Sequence, residues 1–302
     1  GWHNTSLLGG VSATFAGARL LGFTVAETQN AVGIAASQAA GLRVQFGTEM
    51  KPLHAGLAAQ QAVQSIELTQ QGFLGSAAAL DTTSGYLAAY GGQEISEATR
   101  KALLENWGDS WRIATPGLWF KRFPFCSAAL HGADAARQLA KLQLPVENIA
   151  NIAIIFPPDG DAALIHKHPV TGEQGRFSIE YVVALALLGQ AYTLEKFEAK
   201  AISDQAQQLM KVMSRKYDVH HLPDSQAIPK GRFTIIRIAM ADGTVHTREV
   251  SVPIGYNRKP LTDAELEAKW QDAAPDKNNL EKVPATIRVL EKSSLNDLMA
   301  LL

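Results

Sequence analysis

IANIAIIF, residues 149–156, is the stretch on which the reading of the fold turns. Four isoleucines and a phenylalanine in eight residues, bounded by Pro145 and Pro157, are too short and too β-branched for a buried helix and read as a strand. Two further runs, FTIIRIAM (233–240) and VHTREVSV (245–252), flank Asp242-Gly243. That dipeptide between alternating segments predicts a hairpin with a type I′ turn, which needs positive φ. Helices are expected around these strands at 127–142, 178–188, 194–201 and 204–213, so the middle of the chain is α+β.

Outward from that section the texture is helical. Residues 6–21, 24–40, 52–71 and 96–106 carry helical spacing, with alanine and glycine dominating the first three. Small side chains let helices approach closely, as in a tight bundle. Thr24 followed by Glu27 reads as a capping box, Gly41 as the C-cap of that helix, and Gly72 as the stop of the next. Beyond Pro260, Thr262-Asp263-Ala264-Glu265 is a second cap signal, and 293–302 forms a last helix. The expected fold is mainly α with an inserted α+β lid. Residues 1–117 form the first part of a helical domain, 118–257 the lid, and 258–302 the return to the helical domain.

Composition narrows the function. With 46% hydrophobic and 19% charged residues the chain is globular rather than disordered. A net charge of -1 gives no general attraction to nucleic acid or an anionic membrane, so an anionic ligand needs a local cluster of cations. The single cysteine, Cys126, excludes an intrachain disulfide and a cysteine metal cage, and fits a reducing compartment. No segment reads as a signal peptide, and apolar runs such as 181–189 fall far short of the ~20 residues that span a bilayer. The start at Gly1 reads as the middle of a longer chain.

No strong metal motif, phosphate loop or nucleophile elbow is present. His166/His168 and His220-His221 lack a carboxylate at ligand spacing. Cations at helix starts and loop ends remain. Lys51-Pro52-Leu53-His54 stands before an alanine-rich helix, with Pro52 suited to the first helical position and Lys51 beside the positive end of the dipole. There it either helps hold a carboxylate or is simply solvated. Lys121-Arg122 lies in an aromatic run, where partial desolvation strengthens attraction for an anion unless the side chains merely pack on the rings. His3, His131 and Tyr181 are each, taken alone, ordinary core or surface residues.

The same segments resemble the MmgE/PrpD family in six ordered places spanning essentially the whole chain. GWHNTS (1–6) is similar to its G-[FW]-H-x-T segment, AVGIAASQAAG (31–41) to its A-L-G-I-A-A-S helix, and GTEMKPLHAG (47–56) to its K-P-L-H motif. KRFPFCSAALH (121–131), RFSIEYVVALALL (176–188) and PLTDAELEAKW (260–270) resemble three further motifs. The resemblance implies a helical domain with an inserted lid, an active site in a cleft between them, a cytoplasmic homodimer, and no cofactor. It carries His3, Lys51, Lys121 and Tyr181 over as catalytic residues, and His54, His131, Arg176 and Arg122 as substrate-binding ones. Arg176 stands where lysine is usual, which keeps the charge but changes its geometry.

The implied substrate is a small di- or tricarboxylate, with chemistry at the carbon α to a carboxylate. Lys51 and Lys121 would clamp carboxylates, His3 would serve acid/base or orientation, and Tyr181 would supply a hydroxyl. A 2-methylcitrate dehydratase-like hydro-lyase is the expectation. An isomerase or epimerase, a cis-aconitate decarboxylase-like enzyme, and an inactive binding or dimerisation fragment are the alternatives. Family members place further helices before the G-x-H segment, carrying an aspartate and a histidine of the site. The chain is therefore expected to be N-terminally incomplete.

Overall fold

The computed structural model describes residues 1–91, 96–105, 107–109, 111, 113–115, 117–273, 282–292 and 294–301. Asn106, Ser293 and Leu302, at the ends of expected helices, lie outside them. The chain divides into two compact units, Gly1–Thr115 and Pro116–Leu302.

The first unit contains α1 (Asn4–Leu20), α2 (Val25–Gln38), α3 (Met50–Gln70), α4 (Tyr86–Gly91) and α5 (Glu97–Leu104). Leu7, Val11, Thr14 and Ala18 put a buried stripe on α1, facing α3. The two helices pack closely because α1 carries glycine at the crossing: a Cβ on Gly17 would fall 2.4 Å from Ile66 Cδ1. Thr24 and Glu27 form the expected capping box on α2. Gly72 ends α3 in the left-handed conformation, with the Phe73 amide donating back to the Leu68 carbonyl.

Two expectations here need correction. Ala39, not Gly41, is the C-cap of α2. Gly41 takes its positive φ of 112° where the chain passes close to α1, and its carbonyl accepts the His3 amide at 3.0 Å. Helix α3 begins at Met50, so Pro52 is the third helical residue and Lys51 lies inside the first turn. Proline is tolerated there because the first four amides have no intrahelical partner.

The second unit contains α6 (Leu130–Ala140), β1 (Ile149–Phe156), α7 (Gly172–Gly175), α8 (Ile179–Leu187), α9 (Asp204–Met210), β2 (Met213–Tyr217), β3 (Thr234–Met240) and β4 (Val245–Val250). After them come α10 (Asp263–Ala273), α11 (Val283–Arg288) and α12 (Leu295–Met299). The strand read from IANIAIIF is β1, with the same bounds. It is central in a sheet ordered β2-β1-β3-β4, parallel to β2 and antiparallel to β3. Ile152, Ile154 and Phe156 are wholly buried. Helices α6 and α8 complete this core, and glycine at 132 lets them touch, since a Cβ there would lie 2.4 Å from Ile179 Cδ1. Thr262 and Glu265 exchange the expected cap hydrogen bonds at the start of α10.

The β3–β4 hairpin forms at Asp242-Gly243, but not through a type I′ turn. Only Gly243 has positive φ, at 88°, and its amide donates to the Met240 carbonyl at 3.0 Å. The loop is three residues long, a turn closed by glycine in a bulge. The helix expected at 194–201 is a single 3-10 turn, Leu194–Phe197, which Glu198 ends in an extended conformation. Helix α9 stops at Met210, and the following MSRKY forms β2, a strand with no apolar alternation to announce it.

That short polar strand carries the most densely bonded side chain of the unit. Arg215 Nε and Nη2 donate to both Glu180 oxygens at 2.7 Å, and Nη1 donates to Asp161 at 2.9 Å. The carbonyls of Leu164 and His166 accept its remaining protons. Its side chain is 4% exposed. Breaking a buried ionic group from one side leaves uncompensated charge behind. Arg215→Met is therefore expected to destabilise the protein by roughly 3–5 kcal/mol. Urea denaturation at neutral pH would test this, and a midpoint equal to that of the wild type would refute it.

Candidate functional site

In the first unit the structure brings His3, Lys51 and His54 together. His3 occupies the N-cap of α1 and His54 the second turn of α3. Both rings are buried, and their Nδ1 atoms are 2.8 Å apart. The edge of the Phe46 ring closes over His3 with centroids 5.0 Å apart. Burial lowers the His3 pKa, and the charges of His54, Lys51 and Arg43 lower it further. The His3 ring is thereby a weaker base than a free imidazole, and its Nδ1 lies within hydrogen-bonding distance of His54.

In the second unit a cavity of about 270 Å³ is lined by Lys121, His131, Arg232, Trp119, Ser127 and Tyr256, among others. Among the described residues none that lines it is acidic. Trp119 and Tyr256 stack with centroids 4.5 Å apart, and the Tyr256 ring meets His131 edge-on. His131 Nε2 donates to the Ile228 carbonyl at 3.0 Å, since a carbonyl can only accept. Its Nδ1 therefore carries the lone pair, and this atom is buried without a hydrogen-bond partner among the described residues. The His131 pKa is lowered to about 4, by burial above all and then by the Arg232 charge, against the opposing Ile228 and Ser251 backbone groups. His131 is thus a neutral acceptor, not a cationic clamp.

Arg232 was not legible in the sequence as a site residue. Its Nη2 reaches the Ala128 carbonyl only at 3.4 Å, and its Nε is buried with no partner among the described residues. Burial lowers its pKa, while Tyr256, Cys126 and Asp161 oppose. A guanidinium in such surroundings favours an anion, because its donors are desolvated without being paired. The available signal was PKGRF, a cation just before the apolar run of β3, and that pattern is common in ordinary loops.

The other expected residues lie outside this cavity's lining. Arg122 pairs with Glu265 at 2.8 Å. Arg176 Nε donates to the Phe197 carbonyl at 2.7 Å. The Tyr181 hydroxyl, its pKa raised by burial, donates to the Lys196 carbonyl at 2.8 Å beneath the Phe197 ring. His221 bonds Glu249 at 3.0 Å, and among the described residues no group of three or more histidine, cysteine or acidic side chains is placed to hold a metal ion.

The His131 shift has a pH consequence. Above about pH 6.5 the ring is neutral in both folded and unfolded chains. As pH falls from there to about 4, the unfolded chain binds a proton that the folded one refuses, so stability is lost across that window. The loss attributable to this ring is roughly 3 kcal/mol. An NMR titration of the ring should show its inflection near pH 4. An inflection at the ordinary histidine value would refute the assignment.

Comparison with known proteins fits this division. The MmgE/PrpD N-terminal domain family matches residues 1–98 and the MmgE/PrpD C-terminal domain family residues 123–291. The cis-aconitate decarboxylase of Homo sapiens is 26% identical over 305 residues, covering 98% of this chain and 60% of the relative. The Mus musculus cis-aconitate decarboxylase is 27% identical, over 96% of this chain and 59% of its own length. The cis-aconitate decarboxylase-like protein oryM of Aspergillus oryzae is 25% identical across all of this chain and 65% of its own length. The chain thus spans about three-fifths of the length of the human and mouse proteins. With both domain families matched in order along it, the chain belongs to the MmgE/PrpD family.

Proposed function

We propose that the protein is a lyase of a small di- or tricarboxylate that breaks a bond at the carbon next to a carboxylate. The observation that carries this reading is the cavity holding Lys121 and Arg232 with no acidic side chain in its lining among the described residues. Loss of carbon dioxide or of a proton from such a carbon drives electrons into the neighbouring carboxylate. The intermediate gains charge on those oxygens, and fixed cations lower its cost more than that of the ground state. Lys121 supplies a compact point charge and Arg232 a planar fork. His131 offers Nδ1 as an acceptor for a hydroxyl or protonated carboxyl group. A catalytic role for His3 follows from the family, and a histidine that burial makes less basic can accept a proton and return it.

The relatives aligned with the chain are named cis-aconitate decarboxylases, which favours loss of carbon dioxide over loss of water. The expected 2-methylcitrate dehydratase reaction draws on the family alone. Lys51 as a second carboxylate clamp, a homodimeric assembly and a cytoplasmic location likewise follow from the family and belong to this proposal.

The purified protein should be incubated separately with cis-aconitate, 2-methylcitrate and citrate, with products followed by proton NMR. Consumption of cis-aconitate with release of carbon dioxide is expected. If a chain extended to the length of its relatives turns over none of the three, the lyase reading fails. Lys121→Ala and Arg232→Ala are each expected to lower kcat/KM by about a hundredfold or more, with Arg232→Lys recovering part of the loss. A kcat/KM unchanged in Arg232→Ala would remove that residue from the site.

A further inference from the structure

The second unit holds another, larger cavity, of about 710 Å³, that shares no lining residue with the one at Lys121. Its volume is that of a small-molecule site. Four cations line it from three separate parts of the chain: Arg122, Arg137 and Lys141 on and beyond α6, and Lys259 after β4. Two carboxylates answer them. Asp134, in the lining, accepts the Ile254 amide at 2.7 Å, and its charge also acts on Arg137, Arg122 and Lys259. Glu265 pairs with Arg122. No ion pair engages Arg137, Lys141 or Lys259 among the described residues, and a double positive excess remains.

A simpler account covers part of this. Arg137 lies in the last turn of α6 and Lys141 just beyond, where cations favour the negative end of the helix dipole. The dipole accounts for neither Arg122 nor Lys259, which come from outside the helix to the same cavity. Arg137 and Arg122 also lie near one ring, their guanidinium carbons 5.2 and 5.4 Å from the Phe123 centroid. Packing on one ring holds the two forks beside the cavity at little cost in side-chain freedom.

We propose that this cavity binds a small polyanion with at least two acidic groups, its apolar part lying against Phe123 and the valines 250 and 252. Carboxylate and phosphate fit a guanidinium fork alike, so a polycarboxylate and a phosphorylated compound share this recognition. The proposal does not depend on the lyase reading, because it concerns binding at residues to which no reaction is assigned.

Calorimetry on the full chain tests it, with tricarballylate and inorganic pyrophosphate as separate probes. Lys141 and Lys259 are exposed, so reversing them leaves the core untouched. At least one probe is expected to bind saturably to the wild type. Because a tricarboxylate also fits the cavity at Lys121, the comparison is made in a Lys121→Ala background, where the double variant Lys141→Glu/Lys259→Glu should weaken the remaining binding by about tenfold or more. Which probe binds identifies the acidic group the site prefers. Binding of neither probe would overturn the proposal. So would equal affinity with and without the double reversal in the Lys121→Ala background.

Discussion

The second unit is organised around one buried cation. A guanidinium has five N–H donors, and Arg215 directs them at five acceptors drawn from Asp161, Leu164, His166 and Glu180. Away from water each unpaired donor would carry the full cost of its desolvation, so the arrangement holds together as a whole or not at all. Ser178 bonds Glu180 and Tyr217 bonds Asp161, which fixes the two carboxylates in turn. Strand β2, the start of α8 and the segment after β1 are thereby tied to one point. The sheet then has a defined edge beside β1, and β3 pairs on the other side of that strand, with Arg232 two residues before it.

Arg215 and Arg232 show two outcomes for the same side chain. One is neutralised by carboxylates of its own chain, and its role is structural. The other is partly buried beside a histidine that burial keeps neutral, with no carboxylate in the lining of its cavity. Sequence does not separate them, because the difference lies in residues far away along the chain: Glu180 is 35 positions from Arg215, and Ala128 is 104 from Arg232.

What the sequence made legible was local. The strand at 149–156, the capping boxes at Thr24 and Thr262, and the glycine stop at 72 are each set by neighbours within a few residues. Strand β2 was not legible, because its pairing with β1 is long-range and its buried residue is an arginine rather than an aliphatic. The hairpin was placed correctly but given the wrong turn, since Asp-Gly serves both a two-residue loop and the glycine bulge of a three-residue one. In the candidate site, motif matching drew attention to Lys121 and His131, which line one cavity, and to His3, Lys51 and His54, which cluster in the first unit. It could not tell that Tyr181 and Arg176 have polar atoms engaged by the carbonyls of Lys196 and Phe197.

The contact between His3 and His54 has a consequence of its own. When both imidazoles are uncharged, rings meeting through Nδ1 hold a single hydrogen between them. Whichever ring owns it must leave its Nε2 bare, and the other ring must then carry hydrogen on its Nε2. The two outer nitrogens are always of opposite kind, one giving and one receiving. Crossing of that inner hydrogen alone would leave one ring an anion and the other a cation, so the roles exchange only when a proton arrives at the bare Nε2 and another leaves the opposite Nε2. The contact thus couples the two outer nitrogens as the ends of one relay, in which a proton taken up at one end is matched by a proton given up at the other.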